Sequence, residues 1–244
     1  MKVHFIQHDS WLMPGEYLSW AERNRHEVSM TRCWLYEAVP ESVDADMLIL
    51  LGGLHGPSDT KAECDYFDSA KEKDLIRDYV DSGKIVVGVC LGAQLIGEAL
   101  GAAYSLSPER EIGPTELRLT AAGKADPYFA VFPPVFHAGE WHSDMAGLTR
   151  SSVVLAESDG CPRQIMRYGR FVYGLQAHLE FNREIVAAGI AAAGDSLKTE
   201  GRFVQTEEQM LAFDYAEMNA LLSGFLDAIA EDYRHSKEPE SRKR

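Results

Sequence analysis

The sequence predicts an α/β fold in which one open, mostly parallel central sheet carries helices on both faces. Three observations lead there. Short apolar, β-branched runs (KVHFIQ at 2 to 7, DMLILL at 46 to 51, IVVGV at 85 to 89) alternate with stretches of helical periodicity. The second run is apolar enough to be buried on both faces, as the strands of a parallel sheet are. Finally, the runs give way to glycine-rich turns, GGLHGPSD from 52 and the glycines around Cys90, of the kind that place ligand-binding loops at strand ends. With 244 residues, 45% of them apolar, the chain can bury one sizeable core. Residues 1–235 are therefore expected to form a single domain, and the charged, proline-containing end at 236–244 a disordered tail.

The elements follow in order. After the first strand come His8 and Asp9, at a strand end where ligands bind in open α/β sheets, although a solvated loop with a helix cap is the plainer reading of that pair. A helix at about 16 to 24 and a strand at 27 to 33 lead to the third strand. From 61 to 82 the charges alternate with Tyr66, Phe67, Ala70, Leu75, Ile76, Tyr79 and Val80 on one helical face, and Gly83 stops that helix. The middle is less regular: a strand at 115 to 120, another at 135 to 141, then short strands at 152 to 157 and 162 to 168. Trp141, His142, Ser143 and Asp144 form a polar and aromatic group that either lines a pocket or makes an ordinary capped loop. FVYGLQAHLEF at 171 to 181 reads as the last core strand, and helices at 182 to 195 and 206 to 230 cover the sheet.

Composition narrows the function. A formal net charge of −14 argues against general attraction to phosphate backbones, so nucleic acid is not an expected partner. The N-terminus is too short and polar for a signal peptide, and no segment approaches the roughly 20 apolar residues of a membrane span. The four cysteines, Cys33, Cys64, Cys90 and Cys161, lack paired C-x-x-C spacing; they read as reduced thiols of a cytoplasmic protein, with no metal or other cofactor implied.

The stretch KIVVGVCLGAQLIGEALG, residues 84 to 101, organises the rest. It reads as a strand, a tight turn and a helix, with Cys90 on the turn between Gly88 and Gly92. Such a turn forces its residue into a strained conformation, needs small neighbours, and lifts the side chain above the sheet edge. Helix-opening amides, beginning with Leu91, face the same spot and can hold a thiolate or an oxyanion. Gly52 and Gly53 let backbone approach a ligand at the neighbouring strand end, or simply make a turn. Gln94 lies one helical turn above the cysteine, free either to contact a ligand or to pack locally. A free thiol needs a base, and a base needs an orienting group. His178 and Glu180, two residues apart on an extended backbone, leave it on the same side and supply both.

On LLGGLHGP at 50 to 57, GVCLGAQLIGEALG at 88 to 101, WHSD at 141 to 144 and YGLQAHLE at 173 to 180, the sequence resembles the class I glutamine amidotransferase family. The resemblance covers most of the chain. It implies a flavodoxin-like sheet and a Cys-His-Glu triad: Cys90 as nucleophile, His178 as general base and acid, Glu180 as its orienting carboxylate. It further implies oxyanion donors at Gly53 and Leu91, and substrate contacts from Gln94, Gly52 and the backbone around His142 and Ser143. The implied reaction is hydrolysis of a γ-glutamyl amide through a Cys90 thioester, releasing ammonia and glutamate. The chain looks most like stand-alone proteins similar to the amidotransferase part of GMP synthase. The implied partners are a small γ-glutamyl compound, glutamine foremost, and a separate synthase that takes up the ammonia; a homodimer is compatible with the reading. Two departures stand out: Leu179 occupies the position between histidine and glutamate where the family usually has proline, which implies a less constrained turn, and no acceptor domain follows. A γ-glutamyl peptidase using the same triad is the alternative, and a non-catalytic regulatory or binding subunit of the same fold the second alternative.

Overall fold

The computed structural model describes residues 1–194, 197 and 201–238. A ten-stranded sheet runs through it. Its parallel half contains β1 (Lys2–Gln7), β2 (Glu27–Arg32), β3 (Met47–Leu50), β4 (Ile85–Val89) and β9 (Val172–Leu175), in the order β2-β1-β3-β4-β9. Next to β9 the sheet continues through β8 (Ile165–Gly169), β7 (Val153–Glu157) and β5 (Ser105–Leu119) as antiparallel neighbours. Two further strands attach to β5: β6 (Val135–Met145), antiparallel, and the short β10 (Phe203–Val204), parallel.

Alternation along the buried strands sends side chains into two cores. Met47 and Ile49 of β3 join Phe5, Val87 and Tyr173 on one face, under α1 (Glu16–Arg23) and α7 (Ala216–Lys237). Leu48 and Leu50 join Val86 on the other, under α2 (Ser69–Asp81) and α3 (Leu91–Ala99). That is why a strand read from the sequence as a continuous apolar run lies in the middle of the sheet. The chain leaves β1 toward β2 on one side and returns to β3 on the other, so a crevice opens at the carboxyl ends of β1, β3 and β4. No helix among the described residues is long and apolar enough to cross a membrane.

Four expectations are corrected. The helix expected from 61 begins only at Ser69, because residues before it close turns and the Asp68 side chain caps the helix by accepting from the Lys71 amide at 3.2 Å. The strand expected at 115 to 120 is the fifteen-residue β5, and β6 runs on through Met145. Pro108, Gly113 and Pro114 read locally as breakers, yet β5 runs through them: Pro108 lies within the register shift between Leu106 and Glu111, and Gly113 and Pro114 pair in register with Glu140 and Gly139 of β6. The single helix expected at 206 to 230 is two: α6 (Glu207–Ala212) ends at Phe213, and Asp214 then accepts from the Ala216 amide as α7 begins. Finally, the last core strand stops at Leu175, short of His178 and Glu180. Helices α4 (Ala121–Ala125) and α5 (Arg183–Ala193) complete the fold. Of the expected tail at 236–244, Ser236 and Lys237 belong to α7, and residues 239–244 lie outside the described residues.

Helix α3 sits on β4 at backbone contact. A Cβ at Gly88 would overlap the Gly92 carbonyl oxygen, and a Cβ at Gly92 would overlap the Leu50 carbonyl oxygen of β3. Neither neighbour is a flexible side-chain end, so Gly92→Ala should lower stability in chemical denaturation by about 1–3 kcal/mol, the usual cost of overpacking. Gly83→Ala is the control: its Cβ would meet nothing within 4 Å, and its cost should come only from the φ of 62° at the helix stop.

Candidate active site

Cys90 sits at the junction of β4 and α3 with φ 51° and ψ −107°, a conformation that L-residues rarely adopt. Its amide is tied to the Leu175 carbonyl of β9 at 2.8 Å, so the turn is anchored to the neighbouring strand. The residue is 8% exposed, and its sulfur lies at the edge of a cavity, 4.0 Å from the Trp141 carbonyl oxygen. Leu91, the first residue of α3, lines the same cavity, so the positive end of the helix dipole lies there.

His178 and Glu180 come to this place by a route other than the one their spacing suggests. They lie beyond β9, in a loop held by an isolated antiparallel bridge: the His178 amide donates to the Gly139 carbonyl (2.8 Å), and the Gly139 amide donates to the His178 carbonyl (3.0 Å). From α7, Asn219 donates to the carbonyls of Leu179 (2.7 Å) and Phe181 (3.0 Å). These four bonds restrain the turn where Leu179 replaces proline, and Leu179 itself is fully buried. The His178 ring stacks on Phe181 at 4.1 Å, and its Nδ1 is 2.6 Å from Glu180 Oε1. Burial disfavours the charged imidazolium, but Glu180 and then Cys90 outweigh it, and the His178 pKa is raised above its ordinary 6.5. A Cβ placed on Gly52 would touch both His178 Cε1 (3.2 Å) and Cys90 Cβ (3.6 Å), so these two side chains meet over this glycine.

The cavity, of about 210 Å³, is lined by Gly53, Leu54, Cys90, Leu91 and Gln94 on one side and by Arg110, Trp141, His142, Ser143 and Asp144 on the other. Roughly 300–1,000 Å³ is usual for drug-sized ligands, so this volume suits an amino-acid-sized one. Gln94 is buried, lines the same cavity as Cys90, and is held by a hydrogen bond from its Nε2 to Gln176 Oε1 at 3.3 Å. Trp141 packs against Trp11 with ring centroids 5.5 Å apart. Trp141 to Asp144 lie within β6, not in a loop past its end.

The His142 ring itself is engaged behind the cavity. Its Nε2 is 3.0 Å from Glu140 Oε2 and 3.3 Å from Glu111 Oε2, with all three side chains at most 1% exposed. Ser158 (2.7 Å) and Gln164 (2.7 Å) donate to Glu111. Burial opposes charging of His142, yet the two carboxylates raise its pKa to about 10; burial likewise lifts Glu140 to about 7. Reading of the sequence missed Glu111, Glu140, Gln164 and Arg110. The available signal was charge inside strands, Glu111 and Glu140 among apolar neighbours, but β5 was not legible as a strand there. Glu111, His142 and Cys161 place ligand atoms within 4.8 Å of one another, a spacing that could hold a metal ion. Their donor set is already met by hydrogen: both Glu111 oxygens accept from Ser158, one also from Gln164, and burial pushes the Cys161 thiol up to about 12, far from a ligating thiolate. This second cysteine–histidine–glutamate set is closed off, with Cys161 fully buried. Of the two cysteines, Cys90 lines the cavity and Cys161 does not.

Comparison with known proteins agrees with this architecture. The family model described as glutamine amidotransferase class-I matches residues 21–186. The glutamine amidotransferase-like protein YfeJ of Salmonella typhimurium is 47% identical over 232 residues, which cover 94% of this chain and 97% of YfeJ. One subunit of the glutamine-hydrolysing GMP synthase of Picrophilus torridus is 30% identical over 151 residues, 59% of this chain and 75% of that subunit. Among solved structures, that of SMU.1228c superposes with a TM-score of 0.92 at 48% identity, over 94% of this chain and 100% of that one. A glutamine amidotransferase from Thermotoga maritima has the same fold at 21% identity, with a TM-score of 0.81 over 95% of this chain and 98% of its own. By sequence, by family match over most of its length and by fold, this chain belongs to the class I glutamine amidotransferase family.

Proposed function

We propose that the chain hydrolyses the γ-amide of glutamine, with Cys90 as nucleophile, His178 as general base and acid, and Glu180 orienting the imidazole. The observation that carries this reading is the meeting of a strained, cavity-facing Cys90 with the buried His178–Glu180 pair, whose atoms are 2.6 Å apart. His178 takes the thiol proton, and the thiolate attacks the γ-carbonyl carbon. The resulting oxyanion sits against the amides of Gly53 and Leu91. His178 then gives its proton to the departing nitrogen; ammonia leaves and a γ-glutamyl thioester remains on Cys90. Water, deprotonated by His178, attacks the thioester, and glutamate is released as the Cys90 thiolate takes up a proton again. Gln94 and the backbone at Gly52, His142 and Ser143 hold the glutamyl part. The relationship to a GMP synthase subunit supports a separate protein as consumer of the ammonia.

Two measurements test the reading. Ammonia release from glutamine and covalent labelling by a glutamine-like electrophile should both be lost in Cys90→Ala, by at least about 1,000-fold in rate. Cys161→Ala should still be labelled at Cys90, since the fully buried Cys161 does not reach the cavity. Absence of both ammonia release and labelling in the wild type would overturn the glutaminase assignment, and faster turnover of γ-glutamyl peptides than of glutamine would replace it with a peptidase.

The second concerns pH. Glu180 favours the charged form of His178, so its removal must lower the histidine's pKa. In an NMR titration of the imidazole, His178 should titrate above 6.5 in the wild type and at lower pH in Glu180→Gln. An unchanged titration would show that the carboxylate does not set the base.

A further inference from the structure

We propose that His8 is a positioning residue for the oxyanion site: its bond to the Gly52 carbonyl sets the direction in which the Gly53 amide points. The proposal rests on the glutaminase reading for the meaning of that amide, but on geometry for the mechanism.

A trans peptide is a rigid plane whose C=O and N–H point in opposite directions. Pinning the Gly52 carbonyl on one side therefore aims the Gly53 N–H to the other. His8, at the end of β1, lies on the carbonyl side, with Nδ1 3.1 Å from the Gly52 oxygen. A carbonyl only accepts, so Nδ1 carries the proton, and the other nitrogen, Nε2, faces Glu72 Oε2 of α2 at 2.8 Å. Both side chains are fully buried. Burial disfavours charge on His8, but Glu72 outweighs it and the His8 pKa is raised, which strengthens the ring as a donor. The Gly53 N–H, facing away from His8, has no acceptor among the described residues, and Gly53 lines the cavity beside Cys90.

The next peptide is held as well. The Leu54 amide donates to Asp9 Oδ2 at 2.9 Å, so two consecutive side chains just past β1 hold the peptide planes on both sides of Gly53. Glycines at 52 and 53 have otherwise wide conformational freedom, and a free loop would lose the amide's aim. Energetics points the same way. A buried ion pair rarely stabilises more than well-packed apolar residues would, and Glu72 Oε1 has no hydrogen-bond partner, so His8 is the one group this buried carboxylate serves among the described residues.

Asparagine and glutamine separate the two roles of the ring. An Asn amide occupies the place of Nδ1 and can still donate to Gly52; a Gln amide occupies that of Nε2 and can only reach Glu72. In glutamine hydrolysis, His8→Ala and His8→Gln should lower kcat about 10–100-fold with KM changed less than about 3-fold, because the loss falls on the transition-state oxyanion. His8→Asn should recover most of that loss. Crystal structures of His8→Gln and His8→Ala should have the Gly52–Gly53 peptide turned from its native direction, and that of His8→Asn should keep it. The proposal is overturned if His8→Gln retains kcat, if kcat falls while the peptide stays in place, or if Asn rescues no better than Gln. If the wild type releases no ammonia from glutamine, the glutaminase reading falls instead, and the peptide direction in the His8→Gln and His8→Ala crystals alone decides whether His8 positions it.

Discussion

The close approach of helix α3 to strands β3 and β4 is the constraint on which the site depends. With hydrogen in place of a side chain at Gly88 and Gly92, the helix starts directly on the sheet. The chain can then turn in one residue, which is why Cys90 is driven to φ 51°. That strain lifts the sulfur out of the strand and places the first helical amides beside it. A larger residue at either glycine would separate helix from sheet and let the turn relax. The geometry at Cys90 is therefore stored in backbone packing and supported by the cores on both faces, in which most β3 and β4 residues are fully buried.

Around that turn the protein buries three histidine–carboxylate groupings: His178 with Glu180, His8 with Glu72, and His142 with Glu111 and Glu140. Each removes charge from water at a cost that stability alone does not repay. They come from different parts of the fold, and one of their residues, His142, lines the cavity that Cys90 meets. In a water-poor setting their interactions are strong and directional, so a few groups can hold an imidazole, a loop and a cavity wall in fixed relation. The contrast between Cys90 and Cys161 shows how far environment decides chemistry. Both thiols lie near a histidine and carboxylates, yet one faces a cavity beside a helix N-terminus and the other is sealed, with its pKa pushed to about 12.

Where the sequence misled, the reason was local evidence outweighed by tertiary pairing. Pro108, Gly113 and Pro114 hide β5, because the rules that mark breakers do not include a partner strand able to accommodate a bulge. The spacing of His178 and Glu180 suggested two side chains on one face of a strand. They are in fact neighbours across a loop whose shape is set by Gly139 and Asn219, some forty residues away on either side. The break between α6 and α7 was hidden by an apolar pattern that continues through Phe213 and Tyr215.

What the sequence by itself determined is what short-range sterics and periodicity encode. The apolar runs of β1, β3 and β4 specify a buried parallel sheet, and Gly88-Val89-Cys90-Leu91-Gly92 points to the elbow, since a turn of that kind needs small residues at those two positions. What only the tertiary structure decided is which polar groups face one another. His8 and Glu72 are 64 residues apart, and Gln94 and Gln176 82. Such pairs leave no periodic trace, because their benefit arises only when both partners lose water together, and that depends on the complete fold.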